Sequence, residues 1–238
     1  MSHDKNLWRR TLGKRLKKGG LGRCPGRARV ILWVSAACVL AFLGLSSCAW
    51  RVISPDRVVD PVPIFLSEYG RHTRLALPDG TAAFLEYGFG EWNFYGLEEE
   101  GIFSGLRAII GLGEGALSRR KLPYTLSESE FVRAAGSSRS ARIMVEGSLA
   151  GNLRDELESR WRSNSGSIAV RRLDEVPVSR DPSAYHLFGN SNHAVAKWLG
   201  RLGCRVRGYP ITSHFEVIAV SDVSARRAPR QPDGETPL

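Results

Sequence analysis

His72, Glu86 and Ser191 are the residues of this 238-residue chain whose types and spacing suit acyl transfer. His72 opens a β-patterned run, Thr73 to Leu77, and Pro78-Asp79-Gly80 separates it from a second run, Thr81 to Tyr87. Pro presets φ and Gly accepts positive φ, so the tripeptide is a strong turn signal. With Pro78-Asp79-Gly80 as a three-residue loop, Leu77 faces Thr81. His72 then lies opposite Glu86, with Cβ atoms about 4.5–5.5 Å apart. A carboxylate there would hold the imidazole tautomer and support its positive charge, as the third member of a triad does. A two-residue loop would set Tyr87 opposite His72 instead, and an ordinary surface pair is the alternative role for His72 and Glu86.

Ser191 begins a helix expected over Asn192 to Leu202, with Ala194, Val195, Trp198, Leu199 and Leu202 facing a core and Gly203 as its stop. Serine is a preferred helix N-cap, and capping alone accounts for it. The same position offers backbone N–H groups to a developing negative charge. A cysteine there would gain thiolate character from the dipole and a nearby histidine. A serine hydroxyl needs full general-base help. His193 lies two residues on, about 200° around the helix axis from Ser191, and is expected in solvent. His186 reads as a strand or core histidine able to line a site near Ser191. Cys204 reads as buried and inert. His214 has no nameable partner. Tyr87, Phe89, Trp92, Phe94 and Tyr95 form a core cluster or, alternatively, a groove wall. No zinc-type Cys/His spacing, Walker-type loop or Ca²⁺ loop occurs, so no metal or cofactor is expected.

The elements that must position these residues follow from pattern. Val62 to Leu66 is β-like, and Ile102, Phe103, Leu106, Ile109 and Ile110 repeat at helical spacing up to Gly111. Residues 113–138 are expected to be polar and irregular, with Gly111 to Gly115 a helix-ending loop. Ala141 to Val145 is a strand candidate. Leu149, Leu153, Leu157 and Trp161 mark one face of an amphipathic helix. Ser163 to Ser167 reads as a loop, Tyr185 to Phe188 as an extended run, and Cys204 to Arg207 and Phe215 to Val220 as final strands. The order is mixed α+β rather than a regular βαβ alternation.

Three segments carry a family resemblance: Glu68-Tyr69-Gly70-Arg71-His72-Thr73, the run Glu86 to Tyr95, and Tyr185 to Asn192. They resemble a family of uncharacterised bacterial envelope proteins often found near urease genes. That family is in turn similar to circularly permuted NlpC/P60 (papain-like) hydrolases. The resemblance covers roughly residues 62–220. It implies an α+β, permuted papain-like domain with a small antiparallel sheet and packed helices. In the permuted group a histidine on an early strand precedes a cysteine at a helix N-terminus. Carried over, His72 takes the base position and Ser191 the nucleophile position. Serine replaces the expected cysteine, which weakens or abolishes an activity built around a thiolate.

The formal charge of +10 belongs to the leader. Residues 1–47 hold ten Lys or Arg and one Asp, which leaves 24 basic and 23 acidic residues from Cys48 onward. A nearly neutral remainder gives no electrostatic case for nucleic acid. Residues 31–46 carry no charge and follow Arg23, Arg27 and Arg29, the order of a secretory signal. Leu45-Ser46-Ser47-Cys48 resembles a bacterial lipobox, which implies acylation (palmitate) of Cys48. An uncleaved transmembrane anchor is the alternative. The expected organisation is a signal peptide over residues 1–47, a tether over 48–61, one domain over 62–220 and a disordered tail over 221–238. Both anchors place the domain in the cell envelope, on the outer face of the inner membrane or in the outer membrane. Ala49 after the cysteine is similar to the outer-membrane sorting pattern. Two functions fit: a hydrolase or acyltransferase on an envelope amide or ester such as a peptidoglycan peptide, or a non-catalytic binding or scaffolding lipoprotein.

Overall fold

The computed structural model describes residues 30, 33–34, 49–80, 82–97, 113–171, 174–186 and 189–219. The chain divides into two units, residues 1–45 and 46–238. In the first, Val30, Trp33 and Val34 are helical and exposed. Cys48, the helix expected over 102–110 and the tail over 221–238 lie outside the described residues. Among the described residues no helix is long and apolar enough to cross a membrane.

The second unit is α+β. Seven antiparallel strands form its main sheet: β2 (Pro61–Tyr69), β3 (His72–Asp79), β4 (Ala83–Glu91), β5 (Gly113–Pro123), β6 (Arg139–Glu146), β7 (Ala169–Val170) and β8 (Pro177–Tyr185). Their order is β6-β2-β3-β4-β5-β8-β7. This is larger than the small sheet expected. A second sheet of three strands is centred on β1 (Trp50–Ile53), with β9 (Arg205–Arg207) antiparallel and β10 (Phe215–Ile218) parallel to it. The expected tether is therefore corrected over residues 50–53. Trp50 is fully buried, packs on the Phe215 ring at 5.9 Å and donates from Nε1 to the Thr212 carbonyl at 3.0 Å.

Strand alternation explains why the main sheet is covered on both faces. Ile64, Leu66, Leu75, Leu77, Leu85 and Tyr87 point to one face, where they meet Leu153, Leu157 and Trp161 of α2 (Gly147–Ser163) and Val195, Trp198 and Leu199 of α3 (Ser191–Arg201). Phe65, Ala76 and Phe84 point to the other, against Phe131 and Ala135 of α1 (Glu128–Ala135). Phe65 stacks on Phe131 at 4.0 Å between centroids. Each fully buried large side chain contributes about 1.5–3 kcal/mol, and Trp198→Ala would cost about 3–5 kcal/mol.

The stretch expected to be irregular, 113–138, instead forms β5 and α1. The charges of β5 obscured it: Arg119 meets Glu158 at 2.5 Å, Arg120 meets Glu86 at 2.7 Å and Lys121 meets Asp79 at 3.3 Å. Helix α1 begins at the cap Ser127, whose side chain accepts from Glu130 N–H, and ends at Gly136 with φ 62°.

The β3–β4 turn is displaced from its expected place. Leu77 pairs with Leu85, and the ladder closes at Asp79 opposite Ala83. The connection is three residues long but covers 80–82 rather than 78–80. Pro78 fits inside β3 because the β2–β3 ladder ends at Ala76, so its missing N–H leaves no donor position empty there. Gly80 supplies the positive φ, 64°.

Candidate active site

The site lies where the N-terminus of α3 meets the start of β3. Asn190 caps the helix: its Oδ1 accepts from Asn192 N–H at 3.0 Å and His193 N–H at 3.1 Å. Capping is thus the work of Asn190, and Ser191 stands at the first helical position. Its Oγ lies 3.0 Å from His72 Nδ1. Ser191 is 2% exposed and His72 is half-buried. The two residues are 119 apart in sequence, so only the packing of α3 on β3 joins them.

The next residue on each element ties that contact. Asn192 Oδ1 accepts from Thr73 N–H at 2.9 Å and from Thr73 Oγ1 at 3.0 Å. Its Nδ2 donates to the Ile211 carbonyl at 3.1 Å and, at 3.4 Å, to that of Arg71. Asn192 and Thr73 are both buried. An amide with four partners has one orientation, so it sets the height of Ser191 relative to His72.

Tyr95 packs against the imidazole edge-on, with centroids 5.2 Å apart. It belongs to a π-helical turn, Trp92–Gly96, started by Glu91, whose carboxylate accepts from Phe94 N–H at 2.6 Å. Gly90 is what admits the ring, because a Cβ there would lie 2.2 Å from Tyr95 Cγ. Arg74 Nη2 donates to Tyr95 Oη at 3.1 Å and to Asp174 Oδ2 at 2.6 Å. The Arg171 guanidinium covers the Tyr95 ring at 4.1 Å and reaches Asp174 at 3.2 Å. The Tyr185 hydroxyl lies against the Ser191 backbone, and burial raises its pKa.

Burial is the largest cause holding the His72 pKa down to about 4, followed by the charges of Arg171, Arg74 and Arg71, with Asp174 opposing. The imidazole is therefore neutral at pH 7. When Nδ1 accepts the Ser191 hydroxyl proton, the ring proton sits on Nε2. The pair can move a proton from Oγ to Nδ1, but the surrounding guanidiniums disfavour the imidazolium that results.

Glu86 is not the orienting carboxylate. The observed register places it opposite Ala76, and continuing that register carries His72 toward Gly90. Its side chain turns to the α1 face of the sheet. There Tyr69 Oη donates to it at 2.6 Å, Arg120 Nε pairs at 2.7 Å, and Arg74 Nη1 stands 3.6 Å away. Arg120 also donates to the Ala135 carbonyl at the end of α1, which lies 3.3 Å from the Tyr69 hydroxyl. Glu86 is 1% exposed and ties sheet to helix.

The remaining candidates lie apart from this proton path. His193 Nδ1 is 3.0 Å from the capping Asn190 Oδ1, and its ring meets Tyr209 at 4.9 Å. It is half-buried rather than solvated. His186 is exposed and lines, with Phe89, Ala194, Lys197 and Trp198, a concavity of about 140 Å³. His214 Nδ1 is 3.3 Å from Glu68 Oε1. Cys204 is buried, and burial pushes its thiol up to about 12. Of the expected aromatics, Tyr87, Phe89, Trp92 and Tyr95 are buried and Phe94 is exposed. Among the described residues no group of His, Cys, Asp or Glu could hold a metal ion.

Sequence reasoning missed Asn190, Asn192, Arg74, Arg171 and Asp174 as parts of the site, and it named Tyr95 only within the aromatic cluster, not as the ring against His72. The triplet Asn190-Ser191-Asn192 ahead of a periodic helix signals a cap, though not which residue supplies it. Comparison with protein-family models, curated proteins and solved structures found no match.

Proposed function

We propose that this chain is a lipid-anchored bacterial envelope protein whose permuted papain-like domain acts as a hydrolase or acyltransferase on an amide or ester. The observation that carries the reading is Ser191 Oγ at 3.0 Å from His72 Nδ1, at a helix N-terminus whose capping is already done by Asn190. In this reading the Ser191 hydroxyl proton passes to His72 Nδ1 as Oγ bonds to the substrate carbonyl carbon. The Asn192 and His193 N–H groups are already held by Asn190 Oδ1, so the oxyanion gains from the positive end of the α3 dipole rather than from free N–H donors. Collapse breaks the bond to the leaving group, which takes the proton from the imidazolium. Water, or an acceptor hydroxyl or amine, then gives a proton to His72 and attacks the acyl ester, restoring Ser191. Asn192 holds the two reacting side chains at their working separation. Lipid on Cys48 keeps the domain at the membrane, where a peptidoglycan peptide or another envelope amide or ester is the substrate.

Two observations favour a second reading, a non-catalytic envelope binding or scaffolding lipoprotein: Ser191 is only 2% exposed, and its histidine is a weak base. A fluorophosphonate probe on the detergent-solubilised full chain separates the two. The hydrolase reading expects labelling that Ser191→Ala and His72→Ala abolish. Absence of labelling in the native chain, together with no gain of thiol reactivity in Ser191→Cys, would leave the binding reading.

A further inference from the structure

Almost no chain separates the membrane anchor from the folded domain, and the inference rests on the reading of an anchor that ends at or just before Cys48. Trp50 is fully buried in β1, so Ala49 alone stands between Cys48 and the core. Two residues reach at most about 7 Å. An uncleaved span over residues 31–46 would leave little more. Whatever surrounds Ala49 is therefore held close to the bilayer. Strand β9 runs antiparallel to β1 and β10 runs parallel to it, so Arg207, opposite Arg51, and Phe215, opposite Trp50, lie at the same end as Ala49. There Ala49, Arg51, Arg207, Gly208 and Glu216 line a concavity of about 380 Å³. Glu216 is paired with Arg51 at 3.0 Å, and Glu68, nearby, is engaged by Ser213 and His214 at 3.2 and 3.3 Å. Arg207 is exposed, and no carboxylate among the described residues pairs with it. The same is true of Arg139, whose guanidinium covers the Phe215 ring at 5.1 Å, and of exposed Arg71 on the turn whose Gly70 carbonyl accepts from Ser213.

A concavity with an unpaired guanidinium, held within a few residues of lipid, suits a phosphodiester, because the planar fork of arginine donates to two phosphate oxygens at once. Tyr209, half exposed beside Gly208, is of the amphipathic type that sits at headgroup level. We propose that this face docks on the bilayer, with Arg51 and Arg207 clasping the phosphate of an anionic phospholipid in the concavity. Arg71 and Arg139 add attraction to the negatively charged surface. Acyl chains by themselves hold the domain but leave it free to swivel, and the docked face fixes its orientation. The chain over 209–213 joins this face to the site. Trp50 Nε1 donates to the Thr212 carbonyl at 3.0 Å, and Asn192 Nδ2 donates to the Ile211 carbonyl at 3.1 Å. Docking therefore turns the tip of α3, with Ser191, toward the membrane plane.

The test is hydrogen–deuterium exchange of the full chain in nanodiscs of phosphatidylcholine, alone or with roughly one-third phosphatidylglycerol, at one ionic strength. Amides over 208–213 should exchange about threefold or more slowly when phosphatidylglycerol is present, while those of the β3–β4 turn, at the other end of the sheet, stay unchanged. Arg207→Gln, an exposed substitution, should remove the difference. Arg57→Gln, on the connection leaving the far end of β1, should keep it. Equal exchange in the two discs overturns the proposal and leaves the anchor standing. Protection that survives Arg207→Gln overturns it as well, and so does loss of protection in both variants, which would indicate bulk charge only. Inorganic phosphate that reproduces the protection in phosphatidylcholine discs would mark a free-anion site and reject the headgroup. A chain that does not stay with the discs removes the anchor, and this face with it.

Discussion

Asn192→Ala tests the central geometric claim, that one buried amide holds β3 against the tip of α3. The substitution removes acceptors for Thr73 N–H at 2.9 Å and Thr73 Oγ1 at 3.0 Å, and the donor to the Ile211 carbonyl at 3.1 Å. The Thr73 hydroxyl can turn to another partner. Its buried N–H cannot, and an unsatisfied donor costs about 1–3 kcal/mol. With a smaller contribution from the Ile211 carbonyl and a shallow void, the loss should be roughly 2–4 kcal/mol. For a domain of this size that lowers Tm by roughly 5–15 °C. Urea denaturation of the full chain in detergent measures it. Thr73→Val, which removes only the hydroxyl contact, should cost about 1 kcal/mol, and the double variant should show coupling of about 0.5 kcal/mol or more. A loss below about 0.5 kcal/mol for Asn192→Ala, or strict additivity with Thr73→Val, would refute the clamp.

Four further outcomes are expected. Glu86→Gln should destabilise the fold by about 2–4 kcal/mol, because Arg74 and Arg120 lose a shared buried carboxylate; a Tm equal to wild type would show that this network carries no stability. Ser191→Cys should place a thiol whose absorbance at 240 nm titrates below the ordinary value of about 8.5, since the helix terminus and nearby guanidiniums favour the thiolate, and a midpoint at or above that value argues against an activating environment. His72 has a folded pKa of about 4 against 6.5 unfolded, so the unfolded chain binds more protons between those values and stability falls as pH drops through that window. The loss reaches up to about 3 kcal/mol at its acid end, and His72→Gln should flatten the stability curve between pH 6.5 and 5; parallel curves for variant and parent would count against it. Cys48→Ala should move the protein from the membrane fraction to the soluble one, and retention without acyl label would indicate an uncleaved span.

Much of the framework was legible locally because it rests on short-range periodicity. Leu153, Leu157 and Trp161 announced α2, although Leu149, expected on the same face, is exposed and Ala150 is buried in its place, and Ala194 to Leu202 with Gly203 announced α3, because a helix that buries one stripe repeats every three to four residues. The strands β2, β3 and β4 were visible as short apolar runs bounded by turn signals rather than by alternation, because both faces of the sheet are covered, and β6 was visible in the same way. Strand β5 was hidden because Arg119, Arg120 and Lys121 are tolerable there only through carboxylates from β3, β4 and α2. Helix α1 was missed although Ser127, Glu130 and Gly136 spelled out its ends.

The site divides along the same line. Sequence by itself named the hydroxyl and the imidazole, because serine at a helix start and histidine at a strand start are local facts. Whether Glu86 faced His72 depended on where a hairpin turned, and a displacement of two residues carried the carboxylate along the ladder to lie opposite Ala76, where Arg120 and Tyr69 hold it. Tertiary structure alone decided the rest: that Asn190 rather than Ser191 caps α3, that Asn192 reaches Thr73, and that three arginines with one aspartate surround the imidazole. The cap is a local choice that turned on which residue stands outside the helix, whereas the contacts of Asn192 with Thr73 and of Asp174 with Arg74 join elements far apart in the chain, and no periodicity records them.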